Sequence, residues 1–282
     1  SNAIKPNMAE VTNFTVFVND GIVTATNSAT SVLTTSVNEA PLIGGTSNAV
    51  TVNDNATVTP FSTLTVTDAD TQKMLSTVTV LNGVARGDFT NTASNGWTRT
   101  VTGNNLIYSQ FFHPQANIGS VVQAAIRSLV FQPRSNAIKP DTTELTDFQV
   151  TVSDGVSPAV LATGIRVTTT SVNEAPTIGG TAANQALNDK GTKAVFSTLT
   201  VTDADTQCLF VKVSIPNGVN RGDFTPASAT GWTRSVSNGN IVYARYFSPV
   251  ANIGATVQTA IRALVFQPRA NVPIGTQETT TF

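Results

Sequence analysis

The hexapeptide Ser36-Val37-Asn38-Glu39-Ala40-Pro41 returns as Ser171-Val172-Asn173-Glu174-Ala175-Pro176, and 171 − 36 sets a period of 135 residues. This period constrains the chain more than its length does, because each copy must then be a folding unit of ordinary domain size. Each copy follows a Thr-rich apolar run and leads into Gly44-Gly45-Thr46 or Gly179-Gly180-Thr181. Proline disfavours helix in the residue before it and paired glycines break a strand, so the hexapeptide reads as a module junction. The expected division is residues 1–39 as the last strands of a preceding or strand-exchanged module, 40–174 as a complete module, and 175–282 as a second module lacking its last hairpin. A rival boundary at Gln132-Pro133-Arg134 would instead make 1–133 and 134–268 permuted, self-contained units. Ser1 to Pro6 reads the same as Ser135 to Pro140, so Ser1-Asn2-Ala3 is open to two readings, a cloning scar or native sequence.

Within a module the pattern is that of strands. Phe14, Val16 and Val18 alternate with polar residues, as Phe148, Val150 and Val152 do, and both runs end in an Asp-Gly turn. Further strands are expected at 50–58, 61–70, 77–81, 97–102 and 106–112, with Leu64 and Val66 facing inward and Thr63, Thr65 and Thr67 facing solvent. Trp97 and Phe89, with their twins Trp232 and Phe224, are expected core anchors. One segment departs from this pattern. Ile118, Val122, Ala125, Ile126 and Leu129 recur as Ile253, Val257, Ala260, Ile261 and Leu264, a three-and-four spacing that describes one apolar helix face. A short crossover helix packed on a β-sandwich follows, with Asn117 and Asn252 as its N-caps. The fold class expected is all-β: tandem Ig-like sandwiches, each with one short crossover helix.

Only 12% of residues are charged, against about 25% in an average soluble protein, and the net charge is −1. A surface covered by Thr, Ser and Asn suits an extracellular β protein. It offers no basic footprint for nucleic acid and no polybasic patch for anionic lipid. No apolar run is long enough to span a membrane, and no charged-then-apolar signal opens the chain, which reads as an excised or mature segment. Cys208 is the single cysteine, so the fold rests on packing without an internal disulfide. His113 is the single histidine and is replaced by Ser248 in the other copy, which leaves no repeated nucleophile–base pair and no histidine metal site. The chain is therefore read as no enzyme.

The chemistry that does recur is oxygen-rich: Asp68-Ala69-Asp70, Asp203-Ala204-Asp205, Asn38-Glu39, Asn173-Glu174, and Asp20 and Asp154 in the Asp-Gly turns. Carboxylates two residues apart where a strand ends can converge on a hard cation, and oxygen ligands suit Ca2+. The competing reading is that aspartates in turns cap backbone N–H groups. An EF-hand is excluded, because Lys73 stands at its glycine position and Thr79 at its bidentate glutamate position. Arg86-Gly87-Asp88 and Arg221-Gly222-Asp223 spell an integrin-recognition tripeptide, but phenylalanine follows each directly, and a turn carrying an ion pair is the expected reading.

These motifs resemble cadherin-type repeats, especially the cadherin-like modules of large bacterial surface proteins. Val66 to Asp70 is similar to that family's Asp-x-Asp strand end, Phe148 to Gly155 to its late strand ending in Asp-Gly, and Ser171 to Pro176 to a shortened form of its Asp-x-Asn-Asp-Asn-x-Pro linker. Asn53-Asp54 and Asn188-Asp189 fall where its early Glu-Asn ligand lies. Ser36 and Ser171 replace the linker's first Asp, its last Asn is absent, and nothing matches the Asp-Arg-Glu motif. The resemblance implies weak Ca2+ sites at module junctions, drawn from Asn38, Glu39, Asp68, Asp70, Asp154 and Asp20, and from Asn173, Glu174, Asp203, Asp205 and Asp54. It implies a calcium-stiffened extracellular or cell-surface spacer in adhesion, with neighbouring repeats as partners and a homo-oligomer formed by strand donation. A carbohydrate-binding or enzyme-accessory β module is the alternative.

Overall fold

The computed structural model describes residues 5–46 and 49–282, so Ser1-Asn2-Ala3 lies outside the described residues. The chain opens with a hairpin of β1 (Ala9–Asn19) and β2 (Thr24–Thr35). Then follow β3 (Leu42–Gly44), β4 (Ala49–Asn53), β5 (Thr65–Thr67), β6 (Met74–Val80), α1 (Gly83–Arg86), β7 (Gly87–Phe89), β8 (Thr98–Thr102) and β9 (Asn105–Phe112). The helix α2 (Ile118–Arg127), β10 (Phe131–Pro133), β11 (Thr143–Ser153) and β12 (Val160–Thr170) complete this part. At an offset of 135 residues come β13 (Thr177–Gly179), β14 (Thr200–Thr202), β15 (Leu209–Ile215), α3 (Gly218–Arg221), β16 (Gly222–Phe224), β17 (Thr233–Ser237), β18 (Asn240–Phe247), α4 (Ile253–Arg262) and β19 (Phe266–Pro268). The fold is all-β. No helix among the described residues is long and apolar enough to cross a membrane.

The chain divides into two compact units, one of residues 1–137 with 143–170 and one of 138–142 with 171–282. In the first, a six-stranded sheet runs β4-β12-β11-β6-β9-β8, antiparallel except for the parallel β4–β12 pair. Its inner face presents Val78, Val80, Leu106, Tyr108, Phe148, Val150 and Val167, all buried. A second layer closes over that face, made of the ribbons β3–β5 and β7–β10 and of α2. Phe148 lies among Phe61, Phe89 and Phe131, with ring centroids 5.6, 5.9 and 5.1 Å away. Alternating patterning thus yields a sandwich with a continuous core.

Leu64 and Val66 are buried as expected, but only Thr65–Thr67 is strand, because Phe61 to Leu64 closes a turn in which Leu64 N–H donates to Phe61 O at 3.0 Å. The short strand is held by the helix. Gln123 Oε1 accepts the Val66 N–H at 3.1 Å and Arg127 Nε donates to Leu64 O at 2.7 Å. Gln258 and Arg262 repeat both bonds, to Val201 at 3.1 Å and Leu199 at 2.7 Å. The helix side chains so occupy backbone groups that an edge strand would otherwise leave open. Asn117 and Asn252 stand at the N-cap positions but are left-handed, with φ of 56° and 57°, and make no side-chain cap bond. Asparagine serves here by tolerating positive φ, not by capping through its amide. Each unit also carries a one-turn helix, α1 or α3, where the sequence suggested only an Asn-Gly turn.

Candidate metal centre

Three segments of the first unit meet at one place: the junction Asn38-Glu39, the Asp68–Asp70 turn after β5, and the Asp154–Ser157 turn between β11 and β12. The Asp70 N–H donates to Asp68 Oδ1 at 2.8 Å, an Asx turn that sets the two carboxylates side by side in the chain. Asp70 is 1% exposed, and its Oδ2 accepts the Glu39 N–H at 2.9 Å. Asn38 Nδ2 donates to Asp154 Oδ2 at 2.9 Å and to Ser157 Oγ at 2.7 Å. Asp154, also 1% exposed, accepts the Val156 and Ser157 N–H groups on Oδ1, both at 2.8 Å. The Asp68–Asp70 turn is itself fixed from behind by α2. A Cβ on Gly119 would lie 2.8 Å from the Asp68 N, so glycine is what lets the helix approach the backbone there.

Two oxygens of this cluster, Asp68 Oδ2 and Asn38 Oδ1, are buried with no hydrogen-bond partner. Burial pushes the Asp68 carboxyl above its ordinary pKa; the Asp70 N–H draws it back, and the charges of Asp70, Asp154 and Glu39 push it up again. Burial also pushes Asp154 upward, but the Asn38 amide and the Val156 and Ser157 N–H groups outweigh it and hold that carboxyl below its usual value. A buried, unpartnered carboxylate oxygen among like charges is the situation a hard cation relieves. The donors are all oxygens, so their chemistry fits Ca2+. Among the described residues, however, no three Asp, Glu, His or Cys side chains are gathered closely enough to cage an ion by themselves. Asn38 and backbone carbonyls would have to complete the shell.

The second unit repeats half of this arrangement. Asp205 N–H donates to Asp203 Oδ1 at 2.9 Å, Glu174 N–H donates to Asp205 Oδ2 at 2.8 Å, and Asp203 Oδ2 is buried without a partner. Asn173 is exposed where Asn38 is half-buried. The expectation for Asp54 is the second junction, with Asn173, Glu174, Asp203 and Asp205, and not the first cluster. Asp54 follows β4 at the Thr170 end of β12, whereas Asp154 precedes the Val160 end, about 33 Å away for ten residues of strand. There Asp54 Oδ2 accepts the Asn136 N–H at 3.0 Å, and Asp189 likewise accepts the Asn271 N–H at 3.1 Å. Asp20 sits in the exposed β1–β2 turn, its Oδ1 accepting the Ile22 and Val23 N–H groups at 2.9 and 2.8 Å, which lowers its pKa.

Sequence reasoning did not single out Ser157, Gln72 or Gly119. Gln72, two residues beyond Asp70, is 8% exposed with both amide atoms unpartnered. The recurrence of Ile118-Gly119 as Ile253-Gly254 was the one available signal for the close helix approach. The Arg-Gly-Asp tripeptide is absorbed into the fold. Arg86 pairs with Glu144, Asp88 takes the Tyr108 hydroxyl and Arg99 Nε, the latter at 3.0 Å, and Gly87 at φ 145° lies against Gln132 and Phe131. Its two charges are thus spent on different partners. His113 is exposed beside Phe111, with ring centroids 5.4 Å apart.

No family model matches the chain, and no curated protein does. Among solved structures it aligns with BcpA, the major pilin subunit of Bacillus cereus, at a TM-score of 0.30 and 10% identity, over 85% of this chain and 64% of that one. It also aligns with the extracellular cadherin domains 1–5 of protocadherin gamma B2, at a TM-score of 0.24 and 11% identity, over 84% of this chain and 38% of that one.

Proposed function

We propose that this chain is a calcium-binding structural repeat of a large extracellular or cell-surface protein, a stiffened spacer in cell adhesion and not an enzyme. The observation that carries the reading is the cluster of Asn38, Asp68, Asp70 and Asp154 with its two buried, unpartnered oxygens. In this reading Asp68 and Asn38 supply direct ligands, Asp70 and Asp154 supply charge, and the junction peptide is pinned by Glu39 N–H. An ion there ties the junction peptide to two turns of the sandwich and so removes freedom from the linker. The sparsely charged surface and the absence of a basic footprint are in keeping with an extracellular setting. With few carboxylates the affinity belongs at the weak end, about 10^-4 to 10^-3 M, as in other extracellular modules. Isothermal calorimetry with CaCl2 tests this: saturable binding lost on Asp68→Asn in a background carrying Asp203→Asn is expected, and no heat beyond dilution would refute it.

A carbohydrate-binding role draws on one observation, the pair Phe210 and Tyr246 on β15 and β18, with ring centroids 4.4 Å apart, planes tilted by 34° and both residues exposed. Trp97, by contrast, is buried in the core. A sugar array probed with the whole chain, and with Tyr246→Ala, tests this second reading.

A further inference from the structure

We propose that the first unit carries a pocket for an acidic sugar, a uronic acid residue whose carboxylate pairs with Arg134. The pocket shares no residue with the oxygen cluster or with the Phe210–Tyr246 pair, and it rests on neither reading above.

Residues of α1, β8, β9 and the β7–β10 ribbon line a pocket of about 360 Å³. Its aliphatic wall is Val84, Leu106 and Pro133, and its polar side holds Asp88, Arg99, Gln132 and Arg134. Apolar lining with a few fixed polar groups, at a volume of about 300–1,000 Å³, is the usual make-up of a small-ligand site. Val84 is 50% exposed although apolar, and so presents a bare aliphatic surface to a guest.

The polar side has one charge left over. Asp88 Oδ1 accepts the Phe89 N–H at 2.7 Å and the Tyr108 hydroxyl, and Asp88 Oδ2 accepts Arg99 Nε at 3.0 Å. Asp88 and Arg99 thus neutralise each other. Among the described residues the exposed Arg134 guanidinium has no ion pair and no hydrogen bond, while its main-chain N–H is tied to Arg86 O at 2.9 Å. Gln132 stands cross-strand from Asp88, exposed, with its amide unengaged among the described residues. A guanidinium fork matches a carboxylate, and a neighbouring amide both donates to and accepts from a hydroxyl. The aliphatic wall suits the C–H face of a pyranose. A peptide is a poorer guest, because the main chain around the pocket is largely committed. Thr90 N–H donates to Val130 O at 2.9 Å, and Phe131 exchanges both of its main-chain bonds with Val58 at 2.8 and 2.9 Å. Recognition by strand addition is thereby disfavoured.

The second unit repeats the pocket at about 430 Å³, with Val219, Ile241, Pro268, Gln267, Arg234 and Arg269 in the same places. There Arg269 Nε donates to Glu278 at 3.2 Å, so its charge is already paired. The acidic guest is therefore assigned to the first unit.

Titrating the isotope-labelled whole chain with a galacturonic acid trimer, in chelator so that no metal contributes, tests the assignment by NMR. Saturable shifts at the amides of Val84, Gln132 and Arg134 are expected. Arg134→Ala should weaken binding about tenfold or more, as loss of a charge-assisted pair implies, without shifting the melting temperature, because the side chain is exposed and the Arg134 N–H bond is main-chain. Arg134→Lys should restore part of the affinity, since it keeps the charge and loses the fork. Arg269→Ala and Tyr246→Ala should each leave binding unchanged. No saturable shift, shifts centred elsewhere, or affinity indifferent to Arg134→Ala would overturn the pocket. Equal binding of a neutral galactose trimer would overturn the acidic assignment, and a glutamate tripeptide that binds these amides where the sugar does not would overturn the sugar.

Discussion

Asp68→Asn separates the charge of the metal cluster from its shape. Asparagine keeps an oxygen for the Asp70 N–H that Asp68 accepts at 2.8 Å, so the Asx turn survives. In chelator the charge of Asp68 opposes folding, because burial and the nearby Asp70, Asp154 and Glu39 raise its pKa. The metal-free variant should thus be at least as stable as the parent at pH 7. In calcium the order reverses. A bound ion stabilises by RT ln(1 + [L]/Kd), which for Kd of about 10^-4 to 10^-3 M and about 10 mM CaCl2 gives about 1.4–2.7 kcal/mol. At 2–4 °C per kcal/mol for a unit of this size, the parent should gain about 3–11 °C. The variant should gain less than a third of that. The assay is thermal unfolding in chelator and in CaCl2, with MgCl2 as control, in a background carrying Asp203→Asn so that only the first cluster responds. A parent indifferent to calcium, or an Asp68→Asn protein that keeps the increment, would refute the reasoning. So would a variant that is already much less stable in chelator, since the turn would then depend on the charge it was argued to resist.

The pH dependence of the metal-free protein should carry two opposite signatures. Asp68, raised on folding, contributes stability below its unfolded pKa of about 3.9 that is lost as pH rises through the folded value, so the gap between parent and Asp68→Asn should open with rising pH. Asp154, lowered on folding, contributes stability that disappears as pH falls below about 4, and Asp154→Asn should close its gap there. Tyr108 is pushed up to about 12, by burial first and then by Asp88, so stability should fall from about pH 10 upward as the unfolded chain ionises its tyrosine; Tyr108→Phe should flatten that limb in alkaline melts. Gly119→Ala sets a methyl 2.8 Å from the Asp68 N and 3.0 Å from Thr67 Cα, which should cost about 1–3 kcal/mol in urea unfolding and weaken calcium binding with it. Asp88→Glu with Asp223→Glu should leave any cell attachment intact, because each aspartate is engaged by a tyrosine and an arginine within its own unit; attachment lost with folding preserved would argue for recognition.

Much of the fold was legible because its signals are local and occur twice. The alternation in β11, the three-and-four spacing of α2 and the Asp-Gly turns each follow from geometry within about ten residues, and the repeat showed which matches were not accidental. Where a local rule was applied to a residue with two uses, it misled: Asn117 looks like a side-chain cap and serves as a left-handed hinge. The strand expected over 61–70 likewise shortens to β5, where Gln123 and Arg127, more than fifty residues away, take the Val66 N–H and the Leu64 carbonyl.

The candidate site divides the same way. The oxygen-bearing residue types and the pairing of Asp68 with Asp70 are properties of the sequence, because an Asx turn closes within three residues. Only the tertiary structure decides that Asn38 reaches Asp154 across 116 residues while Asp54, equally acidic and equally repeated, is carried to the far end of β12 and spent on Asn136. Sheet order sets those positions, and it depends on which strands find partners.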